Sequence, residues 1–111
     1  MEKIEIKTKI RNIKLYRDQI KFIEFIKKIN FKGEHHFESG CLVVKGDLDC
    51  SNNNLTSLPD NLVVKGELDC SRNQLTKLPD NLVVKGELDC RYNKMKLELP
   101  KDGWIGGEFF N

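Results

Sequence analysis

A chain of 111 residues, 39% hydrophobic and 32% charged, has the length of one domain with a modest core and the composition of a folded, water-facing protein. No apolar run approaches the ~18 residues that span a bilayer, and the opening MEKIEIK carries charges at positions 2, 3, 5 and 7. That opening does not have the pattern of a signal peptide, so a cytoplasmic protein is expected. The net charge of +2 divides unevenly: residues 1–33 hold ten Lys/Arg against four Asp/Glu, giving +6, and residues 34–111 hold nine against thirteen, giving −4.

In chain order, IEIKTKI (4–10) sets Ile4, Ile6 and Ile10 among charged and polar neighbours, which predicts a short strand. RDQIKFIEFIKKIN (17–30) carries Ile20, Ile23, Ile26 and Ile29 at steps of three with Phe22 and Phe25 beside them, which predicts an amphipathic helix. Asp18 is placed to cap its start, Lys27 and Lys28 suit the negative end of its dipole, and Asn30 or Gly33 can end it. Residues 1–40 are therefore expected to form an N-terminal strand–helix cap over the unit that begins at residue 41. Two further readings stay open: the Ile/Phe face as a partner surface, and Lys21, Lys27 and Lys28 as a nucleic-acid contact. The second ranks below the others because the rest of the chain is acidic.

From residue 41 the chain repeats. LPDNLVVKGELDC occurs at 58–70 and again, letter for letter, at 78–90. Aligned on LDC, the units are 47–66, 67–86 and 87–107, the third with one extra residue, preceded by CLVVKG (41–46) and followed by a truncated unit, EFFN, at 108–111. Self-similarity at a fixed short period predicts a solenoid. Within a unit, Val64, Gly66, Leu68 and Cys70 alternate with Lys65, Glu67 and Asp69, as in a strand with one buried face. Pro79, Asp80 and Asn81 then mark a bend. Each unit should be one short strand with an extended return.

Cys50, Cys70 and Cys90 follow the repeat period rather than a metal-ligand spacing, so they predict a buried, reduced column. Cys41 stands off the period near His35 and His36, where a metal site is a minor alternative. Asn53, Asn73 and Asn93 recur three residues after each cysteine and predict a ladder of inward amides bonding to backbone. No phosphate-binding loop is present, and both histidines fall together in a predicted loop, which leaves no Ser/His/Asp set. No enzyme activity, cofactor or metal is expected.

The carboxylates form two columns, Asp47, Glu67, Glu87 and Asp49, Asp69, Asp89, with Lys45, Lys65 and Lys85 two residues before the first. These lysines are expected to offset it in part. One reading makes the strip a docking surface for a basic protein, with no direct nucleic-acid or membrane contact; the other makes it a solvated strand face. Among the positions that break the repeat are two columns near this face: Asn52, Arg72, Tyr92, and Ser51, Ser71, Arg91. Arg and Tyr are favoured at binding hot spots, so Asp49, Asp69, Asp89, Glu67, Glu87, Arg72, Arg91 and Tyr92 are the candidate partner-binding residues.

The pattern LxCxxNxLxxLP (68–79) and the phrase LTxLP resemble the leucine-rich repeat, and the twenty-residue length resembles its short bacterial type, found in secreted effectors and phage proteins. The resemblance covers residues 41–111. It implies a solenoid with a short parallel sheet, its concave face binding a protein partner. It departs from the family at Lys65, where a leucine is usual; Val64 supplies the apolar residue instead. A phage-type inhibitor of a host nucleic-acid enzyme or defence system, anti-CRISPR-like and acting in the host cytosol, is the alternative it suggests. At the last unit Trp104, Ile105, Phe109 and Phe110 stand where earlier copies carry Val, Leu and Asp. A solvent-facing Phe110 beside an open strand edge predicts a homodimer through Trp104, Phe109 and Phe110.

Overall fold

In the computed structural model, which describes residues 19–111, the twenty-residue repeat closes into stacked coils. The strand expected over 4–10 and the cap at Asp18 lie outside these residues. The described part of the first helix, α1, runs over 19–28. It buries Phe22, Phe25 and Ile29, with Ile26 packed beside them, while Ile23 is exposed. The isoleucine stripe is thus not the buried face. Steps of three fall short of a 3.6-residue turn, so such a stripe drifts by ~60° per step; positions 22, 25, 26 and 29 stay on one side. Asn30, at φ 55°, ends the helix. Its N–H donates to Lys27 O at 3.1 Å and that of Phe31 to Ile26 O at 3.0 Å, a left-handed closure for which Asn is suited.

His35 and His36, expected in a loop, instead begin β1 (His35–Glu38), which pairs antiparallel with β2 (Cys41–Val44). Ser39 at φ 51° and Gly40 at φ 79° join them, the two positive φ values of a tight hairpin turn. The boundary expected between 40 and 41 therefore falls inside a hairpin. His35 and His36 lie on its outer strand.

The remainder is a small β-solenoid of about three turns. Each coil contributes two short strands rather than one. β2, β4 (Leu62–Val64), β6 (Val83–Val84) and β8 (Trp104–Ile105) stack in parallel behind β1; β3 (Leu48–Asp49), β5 (Leu68–Asp69), β7 (Leu88–Asp89) and β9 (Phe109–Phe110) stack as a second parallel sheet. The alternation that reads as one strand from Val64 to Cys70 is broken at Gly66. The glycines at this corner stack on one another: Gly66 N donates to Gly46 O at 3.0 Å, Gly86 N to Gly66 O at 2.9 Å and Gly107 N to Gly86 O at 2.9 Å. A Cβ on Gly86 would stand 2.9 Å from Gly66 O, so the column needs glycine for close backbone approach.

Between the sheets the inward residues form unbroken columns. Leu42, Leu62 and Leu82; Val44, Val64 and Val84; Leu48, Leu68 and Leu88; and Cys50, Cys70 and Cys90 are all buried. Identical residues pack on identical residues, which is why thirteen letters can be written twice. The asparagine ladder is present. Asn73 Nδ2 donates to Cys50 O, Cys70 O and Ser71 O at 3.0, 3.1 and 3.2 Å, while its Oδ1 accepts from Asn53 N and Leu55 N at 2.9 and 3.0 Å. Asn93 repeats this for Cys70 O, Cys90 O and Leu75 N, and Asn111 Oδ1 accepts from Leu97 N at 3.0 Å. Leu97 is thereby identified as the third-coil counterpart of Leu55 and Leu75. One residue separates Asn73 from Leu75, but Lys94, Met95 and Lys96 separate Asn93 from Leu97, and all three are exposed.

Candidate functional site

The outward residues of the β3-β5-β7-β9 sheet surround a concavity of about 440 Å³ that brings together Asp47, Asp49, Glu67, Asp69, Glu87 and Asp89 with Arg91 and Phe110. The two acidic columns expected from the repeat thus lie on one face. Successive coils in such a sheet stand ~4.8 Å apart, so the face carries a regular array of negative charge held by backbone pairing.

The local geometry shows why Asp is copied at 49, 69 and 89. Each Oδ1 accepts from the backbone N–H two residues on, at 3.0 Å from Ser51, 3.0 Å from Ser71 and 3.1 Å from Arg91. Ser51 and Ser71 add a hydroxyl donor at 2.6 Å. The side chain thereby fixes the turn that follows the strand. Asp47 Oδ1 accepts from Glu67 N at 2.8 Å. Four of the six members of the acidic array are therefore structural as well as outward-facing, and for Asp49 and Asp69 the signal was the Asp-x-Ser spacing. Among the described residues Glu67 and Glu87 have no side-chain hydrogen bond.

The expected lysine compensation is not found. Lys45 pairs with Glu34 at 3.7 Å, and Lys85 Nζ lies 5.0 Å from the centre of the Trp104 ring. Lys65 and Lys85 do not line the acidic concavity, and among the described residues neither is in an ion pair with it. Among the described residues Asp89 is the one member of the array in an ion pair, with Arg91 Nη2 at 2.8 Å and Arg91 Nε at 3.0 Å from its carboxylate. The Arg91 hydrogen bond holds the Asp89 carboxyl below the usual carboxylate range.

Arg72 and Tyr92, predicted to share this surface, do not line the acidic concavity. They form a neighbouring ridge, with the Arg72 guanidinium 4.8 Å from the centre of the Tyr92 ring. Asn52, Arg72 and Tyr92 all adopt positive φ, at 56°, 55° and 58°. Asn takes this conformation readily, whereas Arg and Tyr do so at some expense. The variable column is thus also a column of left-handed turns.

The three expected association residues separate. Phe109 is half-buried and packs on the core. Phe110 pairs in register with Asp89 but is half-buried, beneath the Arg91 guanidinium at 5.3 Å. Of the three, the solvent-facing one is Trp104, 53% exposed, with Leu99 exposed beside it in a shallow depression.

Burial pushes the Cys50 and Cys90 thiols up to about 12, and that of Cys70 further in the same direction, so none is suited to nucleophilic chemistry. His35 Nδ1 lies 2.9 Å from Gly33 O, and His36 Nε2 lies 3.1 Å from Glu38. Among the described residues no three His, Cys, Asp or Glu side chains are placed to hold a metal ion, and no helix is long and apolar enough to cross a membrane. Comparison with protein-family models, curated proteins and solved structures gave no match.

Proposed function

We propose that this chain is a non-enzymatic protein-binding scaffold of the leucine-rich-repeat type, acting in the cytoplasm, which docks a basic protein surface on the acidic face of the β3-β5-β7-β9 sheet. The observation that carries this reading is the array itself: Asp47, Asp49, Glu67, Asp69, Glu87 and Asp89 around one concavity. Like charges directly opposite one another on neighbouring strands destabilise a sheet, and a cationic partner would relieve that cost. Charge complementarity of this kind governs partner choice and association rate.

Neutralisation tests it without disturbing the turns, because Asn keeps the oxygen that accepts the backbone N–H. A partner retained by the wild type and bound again in purified form should be lost on Asp49→Asn/Asp69→Asn/Asp89→Asn. Unchanged binding would contradict the reading and favour the helix face. A second reading uses the same array. Two parallel rows of carboxylates resemble the charge of a nucleic-acid backbone, so the partner would be a nucleic-acid enzyme or defence protein blocked at its basic groove. Competition by duplex DNA for the purified partner separates that reading from a general basic surface. We also propose self-association through the last unit, centred on Trp104 with Phe109 and Phe110. Trp104→Asp should lower the sedimenting mass, and a wild type that sediments as a monomer would refute it.

A further inference from the structure

The third coil departs from its copies most at residues 91–96. Where the earlier coils place the single residues Asn54 and Gln74 between ladder asparagine and interior leucine, this coil places Lys94, Met95 and Lys96. The added residues are pushed outward, since Leu97 fills the interior place. Met95 is 57% exposed and Tyr92 68% exposed. Together with Arg91, Asn93 and Asn111 they line a concavity of about 390 Å³ whose charged side chains are all cationic.

Three features give this concavity a specific chemistry. The first is a flat aromatic plate. One side of the Tyr92 ring carries the Arg72 guanidinium at 4.8 Å, and the exposed residue lines the concavity. The second is free positive charge: among the described residues Lys94, Lys96 and Arg72 are in no ion pair. Arg91, by contrast, is committed to Asp89. The third is placement: the left-handed turn common to Asn52, Arg72 and Tyr92 carries an aromatic ring in this coil where the first coil has Asn and the second Arg.

We infer that this concavity binds a nucleoside phosphate, its base stacked on Tyr92 and its phosphate held by Lys94 and Lys96. Aromatic stacking beside a cationic track is how single-stranded nucleic acids are held without sequence readout. The volume lies in the range of small-ligand sites. The ligand can be a free nucleotide or one residue of a single strand; both offer the same base and phosphate. The site adjoins the acidic face at Arg91, which lines both concavities, but its aromatic plate and its unpaired lysines lie outside the acidic array.

The test titrates the whole chain at low salt with AMP and, separately, with a short single-stranded adenine oligonucleotide, following amide shifts. Shifts at 91–96 with AMP alone identify a nucleotide site; much tighter binding of the oligonucleotide identifies a strand site; either supports the inference. The variants restore residues of the earlier coils. Tyr92→Asn places Asn where φ is already left-handed, so the fold is kept, and a melting curve verifies this. It should weaken binding ~5-fold or more, the range for loss of one stacked base. Lys94→Gln/Lys96→Gln should make the salt dependence of oligonucleotide binding shallower by about 1.4 in log–log slope. No binding of either ligand by the wild type, equal binding of inorganic pyrophosphate and AMP, or unchanged affinity in Tyr92→Asn would overturn the assignment. Asp49→Asn/Asp69→Asn, which leaves the Asp89–Arg91 pair in place, should leave this binding intact.

Discussion

The side-chain oxygen of Asn73 lies 3.0 Å from the backbone nitrogen of Leu55, eighteen residues earlier and one coil away. Through this contact the amide of one coil satisfies a backbone N–H of the preceding coil that strand pairing leaves free. The same amide reaches Cys50 O at 3.0 Å, so Asn73 pins two coils together, as Asn93 does through Cys70 O and Leu75 N. The scaffold's rigidity, and with it the placement of every outward residue, rests on these buried bonds.

Their loss should be graded. Asn73 is buried and serves five backbone groups, whereas the one Asn53 side-chain bond among the described residues is to Ser51 O. An unsatisfied buried polar group costs about 1–3 kcal/mol. Asn73→Ala should therefore lower unfolding free energy by roughly 3 kcal/mol or more, and Asn53→Ala by about 1 kcal/mol. Chemical denaturation of the two variants checks the order; equal effects would show that the ladder is not cooperative between coils.

The glycine corner gives a paired comparison. Nothing lies within 4 Å of a Cβ built on Gly46, but one on Gly86 meets Gly66 O at 2.9 Å. Gly86→Ala should cost about 1–3 kcal/mol, as overpacking does. Gly46→Ala should be neutral, or stabilise by about 0.4–1 kcal/mol through the unfolded chain. Thermal melts of both variants would show it.

The cysteine column predicts an alkaline limb to stability. The folded-state thiols of Cys50 and Cys90 are raised from 9.0 to about 12. Groups raised in the folded state contribute stability that is complete below the unfolded value and is lost as pH rises toward the folded value. Stability should therefore decline above pH 9.0, and less steeply in a Cys50→Ala/Cys70→Ala/Cys90→Ala variant. Thiol-reagent labelling below that pH should be slow at these three positions and faster at the half-buried Cys41.

The coils are legible in the sequence because translation by twenty residues leaves the inward positions of 47–66 and 67–86 identical, so the columns of Leu, Val, Cys and Asn can be read directly. Two features are not. A run such as Val64–Cys70 carries the period-two signal of a single strand, and only the stacking of Gly46, Gly66 and Gly86 reveals a corner within it. The buried face of α1 is obscured for a related reason: isoleucines at steps of three look like a stripe but wind around the helix. At the candidate site, the acidic columns follow from the repeat. The separation of Arg72 and Tyr92 from them does not, because it depends on the left-handed turn at those two residues. The Lys94–Lys96 protrusion is hidden as well, since an alignment on Pro79 and Pro100 records one extra residue and conceals a local gain of two.

The most direct test of the account is backbone amide exchange on the chain alone and in complex with its purified protein partner. Docking on the acidic face predicts added protection at 47–52, 67–72 and 87–91, with α1 unchanged, and loss of that protection when Asp49, Asp69 and Asp89 are replaced by Asn. Protection confined to α1, with the acidic strands exchanging as in the free chain, would contradict it.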